Sequence, residues 1–248
     1  MTNEPLFPRL EELKLKLLPK LRHFFLTKRT LEFPFLRKVN IYDCPEMKIF
    51  VQHGSIEIIG GCLVGVLRIC KVGKLVVSEV SCPNLETLEI TEADNISAPC
   101  SHQLPTAYFS KLEALAVGNC CKLRNLMSPS VARGLLNLQA LDIRDCQSME
   151  EVITEDEQQG EEIMTIEPLF PRLETLELIL LPKLRHFFLT KRPLEFPFLR
   201  KVDIYDCPEM KMFVQQEGSV STPSLRSVND DDRVKVDLNK WIQERFNS

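Results

Sequence analysis

The chain has 248 residues and a mass of 28.6 kDa; it is 44% apolar and 27% charged, the balance of a folded protein with a sizeable core. A net charge of -4 argues against a nucleic-acid partner, which calls for a basic footprint. The longest apolar run, Ile58–Leu67, is ten residues and too short to span a bilayer, no basic-then-apolar leader opens the chain, and nine cysteines without framework spacing fit a reducing cytosolic or nuclear setting.

A twelve-residue frame then recurs along the chain. It starts at Leu10 as "LEELKLKLLPKL" and at Leu36 as "LRKVNIYDCPEM". A degenerate unit is expected near Val64, Leu67, Ile69 and Leu75. The frame returns as "LETLEITEADNI" at Leu85, "LEALAVGNCCKL" at Leu112 and "LQALDIRDCQSM" at Leu138. Next comes "EEVITEDEQQGEE", residues 150–162, with seven acids and a glycine; it is expected to be an exposed loop inserted between units. The frame resumes as "LETLELILLPKL" at Leu173 and "LRKVDIYDCPEM" at Leu199, and fades near Leu225 and Val228. Finally, "DLNKWIQERF" predicts a helix with Asp237 at its N-cap and Leu238, Trp241, Ile242 and Phe246 on one face, a terminal cap or tail within 229–248.

Seven of these frames carry apolar residues at positions 1, 4, 6 and 12. Positions 4 and 6 flank one residue of opposite direction, as strand alternation requires, and unit spacings of 26 or 27 residues fit a leucine-rich repeat. The predicted fold over residues 5–228 is therefore an α/β solenoid of about eight units. It is a leucine-rich-repeat horseshoe with a parallel β-sheet on its concave face and an irregular, short-helical convex side. Only nine residues precede Leu10, so the sequence offers no N-terminal cap; further protein before it or a partner is expected to cover that edge.

No chemistry of an enzyme is legible. There is no GxxxxGK[ST], no G-x-S-x-G and no H-E-x-x-H. His23 and His186 occupy the same repeat position, which marks them as copied scaffold. Cys44, Cys120, Cys146 and Cys207 share position 9, but Leu18, Ala93 and Leu181 replace them in other units, as a packed turn allows and a metal site does not. "RHFFLTKR" mixes bases and rings, yet both phenylalanines fall where the solenoid needs interior side chains. No cofactor, metal or nucleotide is expected.

The block Pro5–Val51 is written again, without a gap, as Pro168–Val214. Six of 47 positions differ: Glu12/Thr175, Lys14/Glu177, Lys16/Ile179, Thr30/Pro193, Asn40/Asp203 and Ile49/Met212. Four of these six lie at strand positions 3, 5 and 7, which face solvent on the concave sheet, and they change from a formal +1 to -2. Core letters stay fixed while this face moves. The expected protein-binding face is Glu12, Lys14, Lys16, Lys38, Asn40 and Tyr42 in the first block, Glu89, Asp142 and Arg144 between, and Thr175, Glu177, Ile179, Lys201, Asp203 and Tyr205 in the second.

The run from Leu112 to Ile153, "LEALAVGNCCKLRNL" through "LQALDIRDCQSMEEVI", together with the "FPRLE" and "CPNLE" lead-ins, resembles the C-terminal repeat region of plant coiled-coil nucleotide-binding leucine-rich-repeat disease-resistance proteins. The resemblance covers nearly the whole chain. It implies an intracellular immune receptor's repeats, sensing a pathogen effector or a guarded host protein, or restraining a nucleotide-binding module that this sequence lacks. The alternatives are an adaptor or decoy repeat protein, the substrate-recognition subunit of a ubiquitin ligase, for which no F-box-like segment fits before Leu10, and a non-functional fragment.

Overall fold

The computed structural model describes residues 7–27, 31–47, 49–53, 80–94, 110–154, 169–190, 193–214, 220–231 and 237–246. In chain order the strands are β1 (Glu12–Lys16), β2 (His23–Thr27), β3 (Leu31–Glu32), β4 (Lys38–Tyr42), β5 (Ile49–His53), β6 (Val80–Ser81), β7 (Thr87–Thr91) and β8 (Ala114–Gly118). A short helix α1 (Pro129–Gly134) follows. Then come β9 (Ala140–Arg144), β10 (Glu151–Ile153), β11 (Thr175–Ile179), β12 (His186–Phe188), β13 (Leu194–Glu195), β14 (Lys201–Tyr205), β15 (Val220–Ser221), β16 (Ser227–Val228) and the terminal helix α2 (Leu238–Phe246).

Among the described residues, eight strands form one open parallel sheet in the order β1-β4-β7-β8-β9-β11-β14-β16. Each unit's frame explains its strand. A turn with proline second, such as Phe33-Pro34-Phe35-Leu36, closes with Leu36 N–H donating to Phe33 O at 3.2 Å. The first leucine is thereby set into the core, and the next five residues alternate, as in β9, where Leu141 and Ile143 are buried. A second turn brings position 12 inward, as where Met210 N–H donates to Cys207 O at 3.1 Å. Neighbouring frames stack in register, so Leu13, Val39, Leu88, Leu115, Leu141, Leu176 and Val202 form one apolar row. These residues belong to or pack against one continuous core.

Between strand and second turn the chain turns sharply. The residue after each five-residue strand of the large sheet has φ between 49° and 56°: Leu17, Asp43, Glu92, Asn119, Asp145, Leu180 and Asp206. Aspartate and asparagine adopt this left-handed conformation at little cost; leucine and glutamate adopt it with steric strain. Leu180 is also 40% exposed, so little burial offsets the strain. Leu180→Asn is expected to stabilise the chain by about 1 kcal/mol, read as a higher midpoint in urea.

The returning side differs from the expected short-helical one. Apart from α1, the described returning segments form two-stranded parallel sheets, β2-β5, β3-β6, β10-β12 and β13-β15. The reason is stacking: each returning segment keeps the same offset from its unit's frame, so successive segments lie side by side, where backbone groups need partners and "HFFLT" has aromatic strand character. The acidic stretch also differs from the loop expected from Glu150 onward. Residues 151–153 are β10, paired with β12, and Val152 and Ile153 are fully buried. Their apolar side chains fill the rung below Phe187 and Phe188, which sets the start of any loop after Thr154; 155–162 lie outside the described residues, as does the degenerate unit near Val64, Leu67, Ile69 and Leu75.

The duplicated block shows what stacking does. In the second copy Phe170 and Leu181 are fully buried; their counterparts Phe7 and Leu18 are 36% and 38% exposed. The letters are the same, but β9 covers β11, whereas β1 is the outermost strand of the sheet. At the opposite end, side-chain amides pair with backbone groups. Asn229 Oδ1 accepts from Ile204 N–H at 2.6 Å and its Nδ2 donates to Ile204 O at 2.7 Å, so one amide stands in for the next strand. Asn239 Oδ1 likewise accepts from Phe213 N–H and Val214 N–H at 2.8 and 3.0 Å. Asn239 sits in the first turn of α2, which Asp237 caps by accepting from the N–H groups of Asn239 and Lys240. Leu238 and Ile242 of α2 are buried.

Candidate functional site

The fifteen residues expected to bind protein all fall on the face of the large sheet opposite the apolar rows, in three columns. The first column runs Glu12, Lys38, Thr87, Ala114, Ala140, Thr175, Lys201, Ser227. The middle one runs Lys14, Asn40, Glu89, Ala116, Asp142, Glu177, Asp203. The third runs Lys16, Tyr42, Thr91, Gly118, Arg144, Ile179, Tyr205. Alternation alone places them so, because a strand that buries positions 4 and 6 must turn 3, 5 and 7 away.

The two ends of this face have different chemistry. At the β1 end Lys14 Nζ lies 2.9 Å from Glu12 Oε1, and that hydrogen bond holds the Glu12 carboxyl below its usual range. Lys16 and Lys38 add two further cations at this end. At the other end the middle column holds three carboxylates on consecutive strands. Arg144 bridges the first two, donating to Asp142 Oδ1 at 2.7 Å and to Glu177 Oε2, and these bonds raise its pKa. Lys201 Nζ lies 2.9 Å from Asp203 Oδ2 and 3.3 Å from Asp230 Oδ1, and hydrogen bonding to both raises the Lys201 pKa. Tyr205 Oη donates to Asp230 Oδ2 at 3.3 Å; partial burial, then the Asp230 charge, push its phenol up.

Between the two ends β8 presents only Ala114, Ala116 and Gly118. The backbone does not require Gly118: an added Cβ would meet Thr91 Cγ2 at 3.6 Å, an ordinary contact. Thr87, Thr91, the β8 residues and Ala140 were not among the sequence-derived candidates, although the position rule reaches them. Asp230 was also missed, because the repeat frame has faded by then and only the run Asn229–Asp231 marks it.

The recurrent cysteines lie on the other side of the strands. Cys44, Cys120, Cys146 and Cys207 are fully buried, and each thiol donates to a carbonyl two residues back, at 3.3 or 3.4 Å. Burial pushes Cys207 up to about 11 and Cys82 up to about 12, so both are protonated at neutral pH. The four recurrent cysteines pack the turn after the strand, and Cys82 packs the turn before β7.

The model of a family described as "Plant disease resistance protein RPS2-like, leucine-rich repeats" matches residues 84–217. The second duplicate lies wholly inside this match, so the unmatched first duplicate repeats matched sequence. Among curated proteins, "Probable disease resistance protein At1g61310" of Arabidopsis thaliana is 30% identical over 134 residues, 54% of this chain and 13% of that protein. "Disease resistance protein UNI" of Arabidopsis thaliana is 30% identical over 144 residues, 58% of this chain and 14% of that protein. The chain thus spans only about a seventh of the length of these relatives. No solved structure matches it.

Proposed function

This chain belongs to the RPS2-like leucine-rich repeats of plant disease resistance proteins, and from that premise we propose that the solvent face of its large sheet recognises a protein in plant innate immunity. The partner is a pathogen effector, a guarded host protein, or a nucleotide-binding module that the repeats restrain. The sheet curves as a horseshoe with this face concave, an extended surface suited to a protein partner. Binding, with no catalytic step, is its activity, and it acts in the cytoplasm or nucleus. Among the described residues no helix is long and apolar enough to cross a membrane.

One observation carries the reading. The duplicated blocks keep their core letters, while four of six changes fall on strand positions of this one face and reverse its charge. Drift on an unconstrained surface would touch the returning side and the turns equally.

Exchanging Glu12, Lys14 and Lys16 together for Thr, Glu and Ile tests it, since the second copy shows that the scaffold accepts those residues. Quantitative capture of partners from plant extract is expected to fall at least about tenfold, a modest loss for three interface side chains. A matched exchange of Arg22 and Lys20 on the returning side should leave capture unchanged. The opposite pattern would sink the proposal.

A further inference from the structure

Asp203 is the one buried carboxylate among the described residues, 5% exposed. Its Oδ2 meets Lys201, but its Oδ1 is buried with no hydrogen-bond partner among the described residues. Its register neighbour on β11 is Glu177, another carboxylate. A buried acceptor left unpaired beside a like charge is costly.

The first copy shows that the scaffold does not impose this cost. At the same rung it carries Asn40, whose Nδ2 donates to the neighbouring Glu89 carboxylate. There the amide satisfies itself within the sheet. In the second copy an acid replaces the amide and its partner rung is acidic too, so the internal donor is gone. Around it Asp142, Glu177, Asp203 and Asp230 face only Arg144 and Lys201 as bridging cations among the described residues.

We propose that Glu177 and Asp203 together receive a cationic side chain, preferably arginine, from the protein that this face recognises. The inference rests on the reading of that face as a recognition surface. Adjacent parallel strands are about 4.8 Å apart, and a guanidinium fork can donate one arm to each carboxylate. Lys201 stays on Oδ2, so the incoming arm takes the unpaired Oδ1, and Glu177 shares its carboxylate between that guanidinium and Arg144; the side chains that cover Oδ1 part to admit it. The unpaired Oδ1 then gains its donor on binding, and a local cost in the free chain becomes affinity.

The test uses the full chain and a fluorescent peptide alternating arginine and serine, with a glutamate-for-arginine counterpart, followed by anisotropy at several salt concentrations. The arginine peptide is expected to bind, with affinity falling as salt rises. Asp203→Asn, which restores the amide that the first copy carries as Asn40, should weaken it about tenfold, the loss of one charge-assisted bond. The same variant should raise the melting temperature by about 2–4 °C, which separates a lost site from a damaged fold. Equal affinity for wild type and Asp203→Asn overturns the inference, as does equal binding of the two peptides or no binding by wild type. If the Glu12, Lys14 and Lys16 exchange still abolishes partner capture in that case, only the cation site has failed. Capture indifferent to both sets of changes overturns the recognition surface as well.

Discussion

Phe187→Ala is expected to cost the folded chain about 3–5 kcal/mol, the range for truncating a fully buried aromatic. The ring is fully buried and stacks on Phe213 with centroids 4.6 Å apart and planes 8° from parallel. Phe170 and Phe196 meet it edge-on at 6.4 and 6.2 Å. Four rings from two successive units thus share one cluster, and alanine leaves a cavity that none of them can fill by a rotamer change. The duplication supplies the control. Phe24 occupies the same place in the first copy but is only partly buried, with Phe7 tilted against it at 6.5 Å. Phe24→Ala should cost less than half as much, about 1–2 kcal/mol. Urea denaturation of both variants measures the difference. Equal losses would mean that the apolar face of the first copy is covered in solution.

Asn229→Ala is the second large effect, expected at about 2–4 kcal/mol because it orphans a donor and an acceptor at once. Ile204 is 1% exposed, and its N–H and C=O are both satisfied by the Asn229 amide. Hydrogen exchange at the Ile204 amide should accelerate in step with the stability loss. Asn229→Asp separates the two bonds. Its carboxylate can still accept from Ile204 N–H but faces Ile204 O with no donor, so its cost should fall between wild type and alanine at neutral pH. A variant as stable as wild type would show that water replaces the amide without penalty.

Much of the fold follows from letters that recur. Apolar residues at positions 4 and 6 dictate a strand, and the constant spacing inside each frame sets the strands parallel and in register even where longer segments separate them. The returning strands were less legible, since what pairs β10 with β12 is not local. Glu151 and His186 are brought together across the acidic insertion only because both follow a position-12 residue by two. For the same reason Val152 and Ile153 read as part of an acidic loop, although the rung above buries them. The left-handed residue after each five-residue strand is visible where it is Asp or Asn, and invisible at Leu17, Glu92 and Leu180. On the sheet face, alternation gives the three columns directly. Which member is buried there cannot be read from alternation: Asp203 is nearly inaccessible and Asn40 is not, and only packed side chains distinguish them.

The near-identity of the two blocks has a consequence for how the chain reaches its native state. Strand β9 pairs with β11 through residues that β1 also carries: Leu13 and Leu15 are the same residue type as Leu176 and Leu178. The core interactions that select a neighbour are therefore degenerate, and the differing letters lie on the other face. What resolves the ambiguity is connectivity. The segment joining β9 to β11 is short, whereas β1 would have to close a far longer loop, and loop entropy favours the nearer partner only weakly, by a logarithm. Between molecules even that preference fades, because the first block of one chain can compete for the β9 edge of another while both are incompletely folded. Correct assembly then depends on order of events more than on recognition: the neighbour that arrives first, during synthesis or refolding, is kept.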